Sequence, residues 1–217
     1  KDDIEHYQKI IVALTETDRI MKEIDKIYPE VEKDLIEFKL IDQEPVKEFK
    51  DDKKVLEIRK LISQGESDLI EFKATLSKCL ANKKPKYIIE HEVLKTIAAF
   101  CNTDGGDLLI GVTDDPPEII GIEADTIHKN EDRFQIHLKN IMRDRINSDV
   151  DVFKLIKVEF ILMPNNKKIC KIKCKPAKAP LFVTIESNQE FRVRRLGNSE
   201  SLSPMEIVKY CSEHFKN

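Results

Sequence analysis

A glycine pair between a helical segment and an apolar run does most to limit what this chain can fold into. Apolar side chains recur at helical spacing in residues 87–101, and residues 107–112 have the character of a buried strand. Between them stands Asn-Thr-Asp-Gly-Gly at residues 102–106. Because Gly and Asn tolerate the left-handed conformation that ends many helices, the sequence predicts a helix that stops near residue 101 and turns directly into a strand.

The rest of the chain after residue 60 alternates between short strands and amphipathic helices. Strands are predicted at residues 68–73, 107–112, 118–122, 153–163, 168–175, 181–186 and 190–195. A helix is predicted at residues 127–147, and a last helix begins near Ser203 with Pro204 at its first position and Glu206 completing a capping box. This order of elements favours an α+β domain over residues 61–217, with a mixed or antiparallel sheet and flanking helices.

The first sixty residues show a different pattern. Apolar residues within 4–41 stand alternately four and three apart, which is a heptad seam, and Pro29 interrupts it, so two helices or a kink are expected. Residues 42–53 are polar and predict a linker, and residues 56–62 predict one further helix. The prediction is a helical extension over residues 1–60, either a hairpin or a coiled-coil dimer.

The composition is typical of a globular cytoplasmic protein. Of the 217 residues, 35% are charged and 41% are hydrophobic, and no run approaches the ~18 apolar residues of a membrane span. The chain does not begin with a basic and then apolar leader, so secretion is not expected. Its five cysteines are irregularly spaced and form no CxxC pair, which favours free thiols in a reducing compartment.

Basic residues cluster locally in a chain whose net charge is only −3. Residues 167–178 hold six lysines and no acid, and residues 191–195 hold three arginines. Such stripes are either solvated sheet faces or contacts for nucleic-acid phosphates. The nine candidate phosphate-binding residues are Lys167, Lys168, Lys171, Lys173, Lys175, Lys178, Arg192, Arg194 and Arg195.

Carboxylates and a lysine gather around the first predicted strand. Because residues two apart on a strand share a face, Glu71 and Lys73 project together while the residues beside them face the core. Glu66 precedes this strand, and Asp114 follows another. Carboxylate oxygens can hold Mg²⁺ or Mn²⁺, and an adjacent lysine stabilises charge or positions water in metal-dependent nucleases. In a chain this rich in charge, the same spacing also arises as a surface ion pair worth under ~1 kcal/mol, so spacing alone leaves both interpretations open.

Five ordered motifs between Gly65 and Tyr210 carry a family resemblance. They are residues 65–73 with Gly-Glu-Ser and Glu-Phe-Lys, the turn at 99–106, residues 109–114 with Ile-Gly-Ile at 120–122, Ala-Pro-Leu-Phe at 179–182, and Phe-Arg-Val-Arg-Arg-Leu-Gly-Asn-Ser at 191–199. Together they resemble the Schlafen-type AlbA domain. The first sixty residues lie outside the resemblance.

The resemblance implies a lobe that binds or cuts nucleic acid. Some members of that family are RNA endonucleases that cut tRNA or rRNA with two glutamates and an aspartate around a divalent metal; the matching positions are Glu66, Glu71 and Asp114, with Lys73 beside them. Other members are regulators or nucleic-acid-binding modules. Animal nucleases of the family pair two lobes in one chain, and since this chain has one lobe, the resemblance implies a homodimer. The family's zinc-binding cysteine and histidine set is not recognisable.

Two functions follow from these observations. The first is a divalent-metal-dependent endoribonuclease acting on structured RNA such as tRNA, with the basic stripes on phosphates and with recognition by RNA shape. The second is a non-catalytic DNA- or RNA-binding module, regulatory or for assembly, of a larger protein, whose acids form structural ion pairs with Lys73 or arginines. Three acids near phosphate favour the first, because each repels phosphate unless a metal is bound.

Overall fold

Helices and two sheets make up the part of the chain that the computed structural model describes, which is residues 52–80, 84–125 and 130–215. The helices are α1 (Lys53–Gln64), α2 (Lys86–Cys101), α3 (Glu131–Arg145) and α4 (Pro204–His214). The strands are β1 (Ile70–Lys73), β2 (Gly106–Ile110), β3 (Ile146–Asn147), β4 (Ile156–Leu162), β5 (Lys168–Cys174), β6 (Phe182–Ile185), β7 (Asn188–Arg195) and β8 (Asn198–Ser201). The predicted heptad segment lies outside the described residues.

The strands form two four-stranded sheets. In the first sheet the order is β1-β2-β5-β4, where β1 and β2 are parallel and the other neighbours are antiparallel. In the second sheet the order is β3-β6-β7-β8, and all neighbours are antiparallel. The predicted α+β class with a mixed or antiparallel sheet and flanking helices is therefore confirmed.

Both faces of the first sheet are covered. On one face, Val55 and Ile58 of α1 belong to the same apolar cluster as Ile70 and Phe72 of β1. The opposite face contributes to a larger core that includes buried side chains of α2, α3 and the second sheet. The predicted helix at residues 56–62 is thus confirmed as α1, which crosses the predicted domain boundary after residue 60 and packs with the strands.

The predicted helix–turn–strand at the glycine pair is confirmed, since α2 ends at Cys101 and β2 begins at Gly106. Gly105 has a φ of +83°, and a Cβ there would lie 2.6 Å from the Cys174 carbonyl oxygen, so only glycine fits. Asn102 is instead right-handed and fully buried. Its amide nitrogen donates to the carbonyls of Leu181 at 2.8 Å and Arg192 at 2.9 Å, which ties the end of α2 to the second sheet.

Three details of the strand prediction were wrong. The helix predicted at residues 127–147 ends at Arg145, and Ile146–Asn147 form the short strand β3, which was missed. Residues 118–122 are not a strand: a single bridge joins Val112 and Ile119, after which Gly121 turns the chain with a φ of +78° into a 3-10 turn at Ile122–Ala124. Strand β8 was missed because its sequence, Asn-Ser-Glu-Ser, lacks apolar alternation. It forms by pairing with β7 along the edge of the second sheet.

The five cysteines all lie within the described residues and form no disulfide, as predicted. Cys170 and Cys174 share one face of β5 and lie in the larger core. Burial raises the pKa of the Cys170 thiol far above its ordinary range, so it is an inert core residue. No helix among the described residues has the length and apolar character needed to cross a bilayer.

Candidate functional site

Strand β1 presents Glu71 and Lys73 on one face and sends Ile70 and Phe72 into the core under α1, as the alternation predicts. The Lys73 ammonium contacts the Glu71 carboxylate at Oε1 and also donates to the Phe72 carbonyl at 3.1 Å. Glu71 is nearly buried, whereas the Lys73 side chain is 22% exposed. The charged pair therefore stands at the boundary between core and solvent.

Glu66 is returned to this strand by a tight turn. The Ser67 amide donates to the Ile70 carbonyl at 2.9 Å, and the Phe72 amide donates to Glu66 Oε1 at 2.7 Å. Strand β1 lies at the edge of its sheet, and the Glu66 carboxylate accepts the hydrogen bond that a further strand would otherwise take from Phe72.

The pKa of Glu66 reflects its burial and the charged groups near it. Burial raises the pKa of Glu66, and the bond from the Phe72 amide opposes that rise. The carboxylates of Glu71 and Asp114 raise the pKa further, while the Lys73 ammonium lowers it. The structure thus brings all four predicted acid and lysine residues into one electrostatic neighbourhood, with Asp114 on the exposed loop after β2.

Arg194 of β7 was predicted from the sequence to contact phosphate, but it lies inside the site as a buried partner of Glu71. Its guanidinium is 1% exposed and reaches across from the second sheet to donate to Glu71 Oε2 at 2.9 Å. It also donates to the Ser67 carbonyl at 2.5 Å and the Ser199 hydroxyl at 3.2 Å, and lies 4.8 Å from the centre of the Phe100 ring. Glu71 is therefore held between two cations, one buried and one partly exposed.

The other basic candidates divide by exposure. Lys171 is buried beneath α1, where its ammonium contacts the Glu57 carboxylate and lies 3.5 Å from Asp107. Lys168 pairs with Glu131 at 2.8 Å, and Arg192 pairs with Glu190 at 2.8 Å. The candidates that face solvent are Lys167, Lys173, Lys175, Lys178 and Arg195. Lys171 and Arg194 are both buried, and each already pairs with a carboxylate.

The register of the first sheet places part of the stripe near the acids. Lys73 at the end of β1 pairs with Ile110, and Ile110 pairs with Cys170, so Lys167 and Lys168 lie at the same end of the sheet. Residues after Cys174 lie at the opposite end, beside the start of β2. The stripe therefore runs the length of β5, and only its first part approaches the acids.

A second link joins the two sheets beside Arg194. Asp68, just before β1, accepts a 2.7 Å hydrogen bond from the amide of Gly197, which lies at the tip of the hairpin between β7 and β8. The same hairpin carries Arg194. Asp68 gave no signal in the sequence, since the contact spans 129 positions.

The acid set suits a hard divalent cation in its chemistry. Oxygen ligands are what Mg²⁺ and Mn²⁺ prefer, and Mg²⁺ needs only one or two carboxylates with water and phosphate oxygens. Besides burial, the carboxylates of Glu71 and Asp114 raise the pKa of Glu66, and a bound cation would offset that repulsion. Among residues 52–80, 84–125 and 130–215, however, no three acidic, histidine or cysteine side chains are already grouped closely enough to enclose an ion.

Comparison with known proteins gives the family. The family model described as "Schlafen, AlbA_2" matches residues 66–203, which include Glu66, Glu71, Lys73, Asp114 and the β7–β8 hairpin. A search of curated proteins finds no match. Among solved structures, the crystal structure of the DIP2311 protein from Corynebacterium diphtheriae is similar, with 16% identity and a TM-score of 0.47, over 76% of this chain and 33% of that chain.

The chain therefore belongs to the Schlafen AlbA_2 family, as its motifs predicted. Membership indicates a function related to nucleic acid.

Proposed function

We propose that this protein is a divalent-metal-dependent endoribonuclease that acts on structured RNA such as tRNA. The observation that carries the proposal is that Glu66 interacts electrostatically with the carboxylates of Glu71 and Asp114 and with the Lys73 ammonium. Lys73 also contacts Glu71 directly. A site meant only to bind phosphate gains nothing from three carboxylates, since each repels the ligand. A site that cuts phosphodiesters with a metal uses carboxylates to hold the cation.

The proposed roles follow from the position of each side chain. Glu66, Glu71 and Asp114 would hold Mg²⁺ or Mn²⁺, which when bound acts as a Lewis acid on a phosphate oxygen. Lys73, partly exposed beside Glu71, would bind the phosphate and balance charge that develops on its oxygens. Arg194 contacts Glu71 from the buried side and fixes the direction of that carboxylate.

Phosphate contacts away from the acids would position the RNA. Lys167 is exposed at the end of the sheet where β1 also ends, and Arg195 is exposed on the β7–β8 hairpin. Basic contacts of this kind fix register and orientation without reading sequence. The A-form major groove is too narrow for side chains, so such contacts would select RNA by its shape.

A non-catalytic nucleic-acid-binding module is the second candidate. It is favoured by the two cations on Glu71, because a carboxylate already paired with Lys73 and Arg194 can serve the fold alone. In that case the acids have no part in chemistry, and exposed lysines alone hold DNA or RNA.

Cleavage of total tRNA with Mn²⁺, Mg²⁺ or EDTA separates the two functions. Discrete fragments that require metal are expected from wild type and from the control Asp144→Asn, an exposed acid on α3. Asp114→Asn, also on the surface, is expected to lose cleavage while it folds and binds tRNA normally. Intact tRNA under every condition, together with a salt-sensitive gel shift, would overturn the nuclease and favour the binding module.

Metal binding has its own readout. If the acids hold a cation, Mn²⁺ raises the melting temperature of wild type by mass action, and raises that of Asp114→Asn less. Equal shifts for wild type, Asp114→Asn and Asp144→Asn would place the metal elsewhere, whatever the cleavage assay shows.

We further propose that the protein acts as a homodimer. The proposal comes from the heptad seam in residues 4–41, which lie outside the described residues. Light scattering of the full chain is expected to give twice the monomer mass over micromolar concentrations. A monomer mass throughout would contradict the proposal.

A further inference from the structure

The turn at the tip of the β7–β8 hairpin has a leucine at a position where asparagine, aspartate or glycine is usual. Arg195 pairs with Asn198, so Leu196 and Gly197 form a two-residue loop, and their φ angles are +49° and +76°. Two positive φ angles in a two-residue hairpin loop are the signature of a type I′ turn, in which Asn-Gly and Asp-Gly are preferred. Leucine is poorly suited to the first position, because a left-handed non-glycine residue costs on the order of 1 kcal/mol.

Packing does not explain the leucine either. Leu196 is 92% exposed, the highest value among the large apolar side chains in the described part of the chain. Its side chain gains no buried area to offset the strain of its backbone. Strain of this kind, kept without a gain to the fold, is a reason to look for a function.

The tip is fixed beside the acid site. The Gly197 amide is bonded to Asp68 at 2.7 Å, and Arg194, two residues before Leu196, is bonded to Glu71 at 2.9 Å. The hairpin therefore cannot shift without disturbing both contacts. Leu196 is held at a set position relative to Glu71.

A hollow of about 660 Å³ lies next to this tip. The hollow is a depression open to solvent, and a base that enters it from the surface would meet the tip of the hairpin. It is lined by Asp68, Arg194, Arg195, Leu196, Asn198 and Glu200. Arg195 is half exposed on its rim, 3.3 Å from Glu200, and can exchange that partner for a phosphate.

We propose that Leu196 is a specificity-determining contact that seats against an unpaired nucleobase of RNA in this hollow. Unpaired bases present their faces to protein side chains, and apolar residues commonly wedge between neighbouring bases. The inference rests on the nucleic-acid binding within the proposed function, but not on cleavage. The Leu196 contact would select RNA with a loop, bulge or single-stranded end over a continuous duplex.

The substitution Leu196→Asn gives two effects of opposite sign. Asparagine suits the turn, so the melting temperature is expected to rise by roughly 2–4 °C, as about 1 kcal/mol does for a domain of this size. The apolar contact is lost, so Kd for an RNA hairpin with an unpaired loop is expected to rise about fivefold to tenfold. A residue with only a structural role cannot move these two quantities in this way.

Binding is measured in EDTA so that cleavage plays no part. The probes are an RNA hairpin with 2-aminopurine in its loop and a blunt duplex of the same composition. Wild type is expected to bind the hairpin more tightly and to raise 2-aminopurine fluorescence as the base leaves its stack. Leu196→Phe is expected to retain the affinity but quench the fluorescence by stacking on the base. Met205→Gln, at an exposed apolar position on α4, is the control and should match wild type.

The outcomes decide the proposal without reference to nuclease activity. Loss of the hairpin preference in Leu196→Asn, with normal duplex binding, supports the base contact. Equal affinities and equal fluorescence for wild type and Leu196→Asn overturn it, as does a wild type that binds neither probe. If both probes bind as expected but tRNA is never cut, the base contact stands and the nuclease proposal falls.

Discussion

Removal of Arg194 tests the link between the two sheets most directly. We expect Arg194→Met to lower stability substantially, because methionine keeps much of the buried stem but none of the donors. Glu71 then retains Lys73 on Oε1 and loses its partner on Oε2. The contacts of Arg194 with the Ser67 carbonyl and the Ser199 hydroxyl also disappear.

The magnitude follows from burial. Breaking a buried ion pair by removing one partner costs roughly 3–5 kcal/mol. Lys73 still compensates part of the charge on Glu71, so the lower end of about 3 kcal/mol is expected. For a domain of 150–250 residues each kcal/mol shifts the melting temperature by roughly 2–4 °C, which gives a fall of roughly 6–12 °C.

Urea denaturation and thermal melting of Arg194→Met supply the measurement. The control is Arg195→Met, whose side chain is 47% exposed and paired with Glu200 at the surface, where a loss below ~1 kcal/mol is expected. Glu71→Gln and the double variant complete a double-mutant cycle that gives the coupling energy between Arg194 and Glu71. Residues in direct contact have coupling energies of roughly 0.5–3 kcal/mol. Arg194→Met within ~1 kcal/mol of wild type, or no coupling to Glu71, would refute the reasoning.

Three further predictions concern single positions. In urea denaturation, Gly105→Ala is expected to lower the free energy of unfolding by at least about 2 kcal/mol more than Gly65→Ala. Both glycines have a positive φ, but only at Gly105 does the new Cβ meet a backbone carbonyl. Equal losses of stability would show that the turn at Gly105 relaxes. Because burial raises the pKa of Glu66, the folded state holds this proton more tightly, and stability falls as pH rises through the folded pKa. Glu66→Gln should therefore raise the melting temperature at pH 7 and have no such effect at pH 3; a gain that persists at pH 3 would point to another cause. Lys171→Met should leave RNA affinity unchanged, since Lys171 is buried, whereas Lys173→Met should reduce its salt dependence; equal effects on binding would mean that the burial of Lys171 does not hold in solution.

Local patterns in the sequence predicted the parts of the site that local geometry determines. The alternation on β1 put Glu71 and Lys73 on one face, and the glycine pair placed the end of α2 and the start of β2. Each depends on residues within a few positions of one another. The capping box at the start of α4, with Ser203 and Glu206, is of the same kind.

Long-range contacts account for what the sequence did not reveal. Arg194 meets Glu71 across 123 positions, and Asn102 meets the Leu181 amide across 79. In both cases the residue type is compatible with exposure, and only the packing of the second sheet against α2 makes it internal. The same holds for Lys171, which falls in a lysine stripe that is typical of a solvated face. It is buried because α1 covers that side of the sheet and supplies Glu57.

The two cations on Glu71 are unequal, and this bears on both candidate functions. Arg194 is 1% exposed and is fixed by three further contacts, so separating it from Glu71 would break a buried ion pair and disturb those contacts as well. Lys73 is 22% exposed on a flexible stem and can turn to solvent or to a phosphate at little cost. If Glu71 has any role beyond the fold, Lys73 is therefore the partner that leaves it, and Arg194 the one that stays. Lys73→Met should then weaken phosphate binding with little loss of stability, the reverse of Arg194→Met, and the two variants measured side by side show whether this acid serves the site or the fold.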